Sequence, residues 1–335
     1  MKHANVALFV PHNGCPHKCS FCNQKSITGQ QSQPLPQDVR DAVRIAKDSL
    51  RDETKNAEIA FFGGSFTAIE RSYMISLLEA ASPFVKDGTF AGIRISTRPD
   101  AIDHEILTIL KQYGVTAIEL GAQSMDDRVL ALNGRGHTAK QVEDAAELIR
   151  SYPFTLGLQM MTGLYGDTAE GSMETARRLA ALHPENVRIY PTIIMRGTEL
   201  GERYRKGEYR TLSLDETVAL CARLLDFFEE QGISVIRLGL HDSPELKRDM
   251  LAGPWHPAFR ELCESARILQ KIVCYLKEHQ IPKGNLLIKV HPKTISKALG
   301  QKKSNLNALL ELGYPTTMVQ DTGVAENRFT IEKLG

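Results

Sequence analysis

Cys15, Cys19 and Cys22 follow an apolar run from Ala4 to Val10 and form a Cys-x3-Cys-x2-Cys array. Three thiolates suit three corners of a cubane 4Fe–4S cluster, whose electron-transfer versions take four cysteines. A three-thiolate set leaves one iron with an open coordination site, and an open iron can bind and cleave a further ligand. Two other readings compete. One is a zinc knuckle, which wants four Cys or His ligands and would draw the fourth from His12 or His17. The other is three unrelated thiols. Cys221, Cys263 and Cys274 lie in helical patterns without a Cys-x-x-Cys pair and read as small buried apolar residues.

Further candidates follow successive strand-like runs. Gly63-Gly64-Ser65 comes after the second; paired glycines let a ligand approach the backbone, and their carbonyls accept hydrogen bonds from an ammonium group. Alone, such a pair also marks a plain turn. The third run ends in Ser96-Thr97-Arg98-Pro99-Asp100, and the fourth in Glu119-Leu120-Gly121-Ala122-Gln123-Ser124. Asn133-Gly134-Arg135-Gly136-His137 comes next, then Gln159 on the fifth run. Tyr190-Pro191-Thr192-Ile193 and Arg196-Gly197-Thr198-Glu199-Leu200 complete the set.

Over residues 4 to about 270 this combination resembles the radical S-adenosylmethionine (SAM) core of the Elongator catalytic subunit and its bacterial relatives. It is more distantly similar to oxygen-independent coproporphyrinogen oxidase. The resemblance implies SAM on the open iron and one-electron cleavage of its sulfonium to methionine and a 5′-deoxyadenosyl radical. It also implies an electron donor such as ferredoxin or flavodoxin. Gly63, Gly64 and Ser65 match the Gly-Gly-Glu-type motif that holds the methionyl amine, with Ser65 in the acidic place. Gln123 and Arg135 match contacts to the ribose and the carboxylate; a planar arginine fork pairs with both carboxylate oxygens. Without the motif, Arg135 reads as a solvated residue at a helix end. Ser96 and Gln159 stand where relatives carry acidic ribose ligands, and both are weaker acceptors. Phe21 matches an aromatic that flanks adenine, and Ile193 a residue whose backbone lies near it. Tyr190 reads equally as a barrel-wall residue, and Met160 and Met161 as core packing.

The elements that must carry these residues alternate strand and helix, as βα units around a parallel sheet do. Strands are expected at Val6–Pro11, Ile59–Phe62, Gly92–Ser96, Ala117–Leu120, Thr155–Met161 and Val187–Ile194, with amphipathic helices between them. Six units make an α/β fold of the partial (β/α)6 TIM-barrel type, whose sites lie at the C-terminal ends of the strands. Residues 1–240 are expected to form this barrel and its extension, 241–282 a helical segment packed on it, and 283–335 a small basic α/β appendage. Ala252-Gly253-Pro254-Trp255-His256-Pro257 marks a fixed turn that either enters a helix or lines a substrate cleft, with Trp255, His256 and Arg260 its chemistry-bearing members.

The chain has 335 residues, 42% hydrophobic and 24% charged, with a formal net charge of +1. Those figures describe a globular chain with a substantial core and require any nucleic-acid surface to be local. No signal-peptide pattern or membrane-length apolar stretch is present, and cysteines kept reduced fit a cytoplasmic location. Lys283, Lys289, Lys293, Lys297, Lys302 and Lys303 crowd a segment free of acidic residues, a phosphate-binding surface or an ordinary solvated face. Elongator-type enzymes act on tRNA, and the resemblance points the patch toward tRNA or RNA. The Elongator subunit carries an acetyltransferase domain after its radical core, for which this chain has no expected room. A small-molecule substrate, or a metal-stabilised RNA-binding protein without catalysis, are the alternatives.

Overall fold

The computed structural model describes residues 4–11, 13, 15, 19–24, 26 and 32–334. His12 and His17 lie outside the described residues. Two compact units divide the chain, Met1–Ser213 with Phe228–Trp255, and Leu214–Phe227 with His256–Gly335.

The first unit is a curled, half-barrel sheet of parallel strands. Its order is β1 (Ala4–Phe9), β2 (Ala57–Phe62), β3 (Gly92–Thr97), β4 (Val115–Gln123), β5 (Thr155–Thr162), β6 (Asn186–Pro191) and β8 (Ser234–Leu238). Helices α1 (Pro36–Leu50), α2 (Arg71–Lys86), α3 (His104–Gln112), α5 (Ala139–Arg150) and α6 (Ala169–Ala180) supply the crossovers, with a short α4 (Asp127–Leu132) between β4 and α5. Parallel strands are covered on both faces, so β2 is buried along nearly its whole length. Helix α5 starts where Thr138 and Gln141 form a reciprocal capping box.

The six expected strands are all present, and β8 pairs with β6 as a seventh. The sixth strand is shorter than expected. Its ladder ends at Pro191, and Ile194–Met195 leave as β7 to pair antiparallel with β9 (Met250–Ala252). Helices α7 (Glu199–Arg205) and α9 (Pro244–Asp249) flank that ribbon in sequence, and α8 (Leu214–Glu230) precedes β8.

In the second unit, α10 (Phe259–Glu278) precedes β10 (Leu286–Val290), α11 (Ile295–Leu299), α12 (Ser304–Glu311), β11 (Thr316–Gln320) and β12 (Phe329–Lys333). Alternate residues Leu286, Ile288 and Val290 face a core with Ile268, Ile272, Leu276, Ala298 and Leu309. Cys221 and Cys263 are buried as expected, whereas Cys274 is exposed, on the solvent side of its amphipathic helix. Among the described residues no helix is long and apolar enough to cross a membrane.

Candidate active site

The cysteine loop follows β1, at the C-terminal end of the sheet. It is held by the motifs that the sequence places beside it. Ser20 donates its backbone N–H to Asn133 O at 3.0 Å and its hydroxyl to Asn133 Oδ1 at 2.9 Å. Asn133, fully buried, donates in turn to Val129 O at 2.8 Å and Tyr165 O at 2.9 Å. Leu200 N–H donates to Ser20 O at 2.7 Å, Asn23 Nδ2 to Arg196 O at 3.1 Å, and Ser26 Oγ to Asp249 Oδ2 at 2.6 Å. Asn133 and the Arg196–Leu200 turn are thus pins of the loop, a role that no residue-type argument assigned them.

Arg135 bridges loop and sheet. Its Nη1 donates to Cys19 Sγ at 3.1 Å and its Nη2 to Gly121 O at 2.7 Å, while its buried Nε has no partner among the described residues. Gly121 makes room for this. A Cβ there would sit 2.9 Å from Gln123 Nε2 and 3.4 Å from Arg135 Nη2. Gln123 adopts a left-handed φ of 66° at the bulge where β4 leaves register with β5, and its Oε1 is buried and unpartnered among the described residues. Bulges and left-handed non-glycine residues collect at sites where a side chain must be re-aimed.

A second arginine, named in sequence only as part of the third strand's end and given no role there, stands beside the thiols. Arg98 forms a two-pronged pair with Asp100 at 2.9 and 2.8 Å, and its Nη1 is buried without a partner among the described residues. The charges of Arg98 and Arg135 both pull the Cys15 thiol down, against burial and the neighbouring Cys19, which together leave it raised. Burial, then Cys19 and Cys15, push Cys22 up to about 12. The three sulfurs therefore sense one another. Burial, and next the Arg135 charge, hold the His137 imidazole down at about 4, so it is neutral; its Nε2 lies 3.2 Å from Ala122 O.

Among the described residues no group of three His, Cys, Asp or Glu is arranged to hold a metal ion. Three thiols can supply one ligand to each of three corners of a cubane cluster. The partnerless Nε of Arg135, Nη1 of Arg98 and Oε1 of Gln123 fit a polar ligand beside the cysteines.

The other candidates divide. Gly63 and Gly64 have left-handed φ of 82° and 56°, and a Cβ on Gly64 would lie 2.3 Å from Asn13 O. Gly64 N–H donates to Gln24 Oε1 at 2.7 Å, so this turn is pressed against the cysteine loop. Ser65 is fully buried; its hydroxyl lies 2.9 Å from Thr97 Oγ1 and accepts from Arg98 N–H at 3.2 Å. Ser96 and Gln159 converge on Glu119 inside the sheet's curl. Gln159 Nε2 donates to Glu119 Oε2 at 2.8 Å and to Ser96 Oγ at 3.1 Å. Arg94 and Arg188 also grip Glu119, at 3.2 and 2.8 Å. Phe21 is half-buried. Ile193 is buried with Met195 and Leu246 in a small core that Leu240, Met250 and Trp255 cover.

A curled parallel sheet with a three-cysteine loop after its first strand defines the class, and the chain matches that class directly. Residues 9–179 match the radical SAM superfamily and residues 184–269 its C-terminal domain, so the chain belongs to the radical SAM superfamily of enzymes. It is similar to human Elongator complex protein 3, with 31% identity over 271 residues covering 66% of this chain and 49% of that one. The tRNA uridine(34) acetyltransferase of Dehalococcoides mccartyi is 26% identical over 238 residues, 61% of this chain and 52% of the relative. An uncharacterised protein of Methanocaldococcus jannaschii is 29% identical over 250 residues, 69% of this chain and 74% of that one. The chain spans about half the length of the Elongator-type relatives. Elp3 of the archaeon Methanocaldococcus infernus, with its N-terminus deleted, shares the fold: TM-score 0.61 at 19% identity, over 83% of this chain and 63% of that one.

Proposed function

We propose that Cys15, Cys19 and Cys22 hold a 4Fe–4S cluster with SAM on its open iron, and that the enzyme modifies a base of tRNA. Such a cluster, when reduced by a donor such as ferredoxin or flavodoxin, supplies the electron that splits SAM to methionine and a 5′-deoxyadenosyl radical. The observation that carries the reading is the Arg135 bridge, because it ties the Asn-x-Arg-Gly-His motif to a cluster thiol and to strand β4 in one side chain.

Each residue has a task. Arg98 and Arg135 place positive charge at the thiolates and offer one free N–H each to the methionyl carboxylate. The Gly63–Gly64 turn leaves backbone close to the loop for the methionyl amine, and Gln123 offers its unpartnered oxygen to a ribose hydroxyl. Ser65, occupied by Thr97 and the Arg98 backbone, supports this turn from behind. Ser96 and Gln159 reach the ribose as a pair oriented by Glu119. Phe21 flanks the adenine and the Ile193 backbone lies along it.

The RNA half of the proposal rests on similarity to relatives whose names specify tRNA uridine 34. The test is anaerobic incubation of the reduced, reconstituted protein with SAM and total tRNA, followed by mass spectrometry. The expected result is 5′-deoxyadenosine together with a changed nucleoside. If 5′-deoxyadenosine forms with no nucleoside change in tRNA, the substrate assignment falls; if none forms, the SAM assignment falls.

A further inference from the structure

The second unit contains a tight turn between two helices that the cluster chemistry does not use. Its parallel strands β10 and β11 are joined through α11 and α12, and β12 lies antiparallel on the other side of β10. The two helices meet at Gly300-Gln301-Lys302-Lys303. In K-homology modules a Gly-x-x-Gly turn between two helices clamps four nucleotides of single-stranded backbone. Here Lys303 stands in the second glycine's place and takes the left-handed conformation a glycine would supply, with φ of 64°. Lys302 and Gly300 are also left-handed, at 52° and 75°. Two successive left-handed lysines are costly backbone, retained where the surroundings over-determine them.

The surroundings do so. Buried Asn305 donates to Ala298 O at 3.1 Å and to Ser265 O at 3.0 Å, tying the end of α11 and helix α10 to the start of α12. A Cβ on Gly300 would come within 2.3 Å of Ser304 Oγ. The turn is therefore held by contacts within the unit itself, and a backbone shaped before a ligand arrives lowers the ordering cost of binding.

Charge separates these lysines from their neighbours. Lys289 pairs with Glu332, Lys293 with Glu326 and Lys297 with Glu264, so half of the basic segment is already neutralised within the unit. Lys302 and Lys303 are exposed and have no ion-pair partner among the described residues. Ile295 of α11 and Met318 of β11 pack on the unit's core and stay only partly buried.

We infer that the Gly300–Lys303 turn grips the sugar–phosphate backbone of a single-stranded RNA segment, with Lys302 and Lys303 on successive phosphates. This deepens the tRNA reading and rests on it for the choice of RNA.

The test is fluorescence anisotropy of the full chain, iron-free, with a labelled 12-nucleotide oligouridine and a 12-base-pair RNA duplex. Asparagine tolerates left-handed backbone, so Lys302→Asn/Lys303→Asn removes charge and keeps the turn. Each single-strand phosphate contact contributes about 0.7 to the slope of log affinity against log salt, so losing two flattens it by about 1.4. At 0.1 M salt that is about a 25-fold loss of affinity. Lys302→Asp/Lys303→Asp is expected to lose at least as much, and Lys47→Asn/Lys55→Asn, the same charge change on the first unit, little. A matching thermal melt shows that the fold is kept. An unchanged oligouridine affinity, no parental binding, or an equal loss on the duplex overturns the inference. Those outcomes leave untouched the formation of 5′-deoxyadenosine and the altered tRNA nucleoside on which the proposed function stands.

Discussion

Glu119→Gln is the sharpest test of how the half-barrel's interior is held. Glu119 is 1% exposed and receives Arg94 Nη1 at 3.2 Å, Arg188 Nη2 at 2.8 Å and Gln159 Nε2 at 2.8 Å. Breaking a buried ion pair from one side costs about 3–5 kcal/mol, because the remaining charge stays buried without compensation. Arg94 keeps a second carboxylate, Glu58, at 2.6 Å. Only Arg188 loses its counter-ion, and its remaining contacts are the Tyr190 hydroxyl and the Phe62 ring face at 4.8 Å. The cost should therefore sit at the lower end, about 3 kcal/mol, a fall in Tm of roughly 6–12 °C for a unit of this size. Thermal unfolding of the iron-free protein by circular dichroism reads it. Adding Arg188→Met removes the stranded charge and should recover at least about 1 kcal/mol. A Tm within 2 °C of the parent, roughly the effect of 1 kcal/mol or less, would refute the idea that Glu119 neutralises Arg188.

Other outcomes follow from the same geometry. Cys19→Ser should abolish the sulfur-to-iron charge-transfer absorbance after reconstitution and reduce 5′-deoxyadenosine to background; a retained spectrum would show that Cys19 is no ligand. Arg135→Gln removes a charge-assisted contact of about 1.5–3 kcal/mol, so SAM affinity by calorimetry should fall roughly tenfold to a hundredfold. Arg135→Lys, which keeps the charge and loses the fork, should lie between, and an unchanged affinity for both would remove Arg135 from the SAM site. His137 has its native value depressed to about 4, whereas the unfolded chain takes up that proton near the ordinary 6.5. Its contribution is thus complete above pH 6.5 and is lost as pH falls toward 4, about 3 kcal/mol across the window. His137→Asn should flatten the dependence of Tm on pH there, and an equally steep dependence in the variant would assign it to other groups.

Much of the candidate site was legible in residue order. The cysteine spacing, the Gly63–Gly64 turn and the Asn-x-Arg-Gly-His segment are runs of a few consecutive residues, and strand–helix periodicity places them on successive βα units. Arg98 stood in the strand-end motif Thr97-Arg98-Pro99-Asp100 without a role of its own, and only burial beside Cys15 distinguishes it from a solvated arginine. Ser96 and Gln159 stood in sequence as separate weak acceptors, 63 residues apart, yet they share one carboxylate. The lysine-rich tail looked uniformly basic because its counter-charges, Glu264, Glu326 and Glu332, lie outside the basic stretch.

Local sequence determined which side chains are present and, through hydrophobic period and turn chemistry, which elements carry them. Tertiary structure decided which charges meet, which polar atoms lose water without gaining a partner, and which lysines stay unpaired. The physical reason is range: periodicity and capping act over a few residues, whereas Coulomb interaction and burial depend on distances that only folding sets.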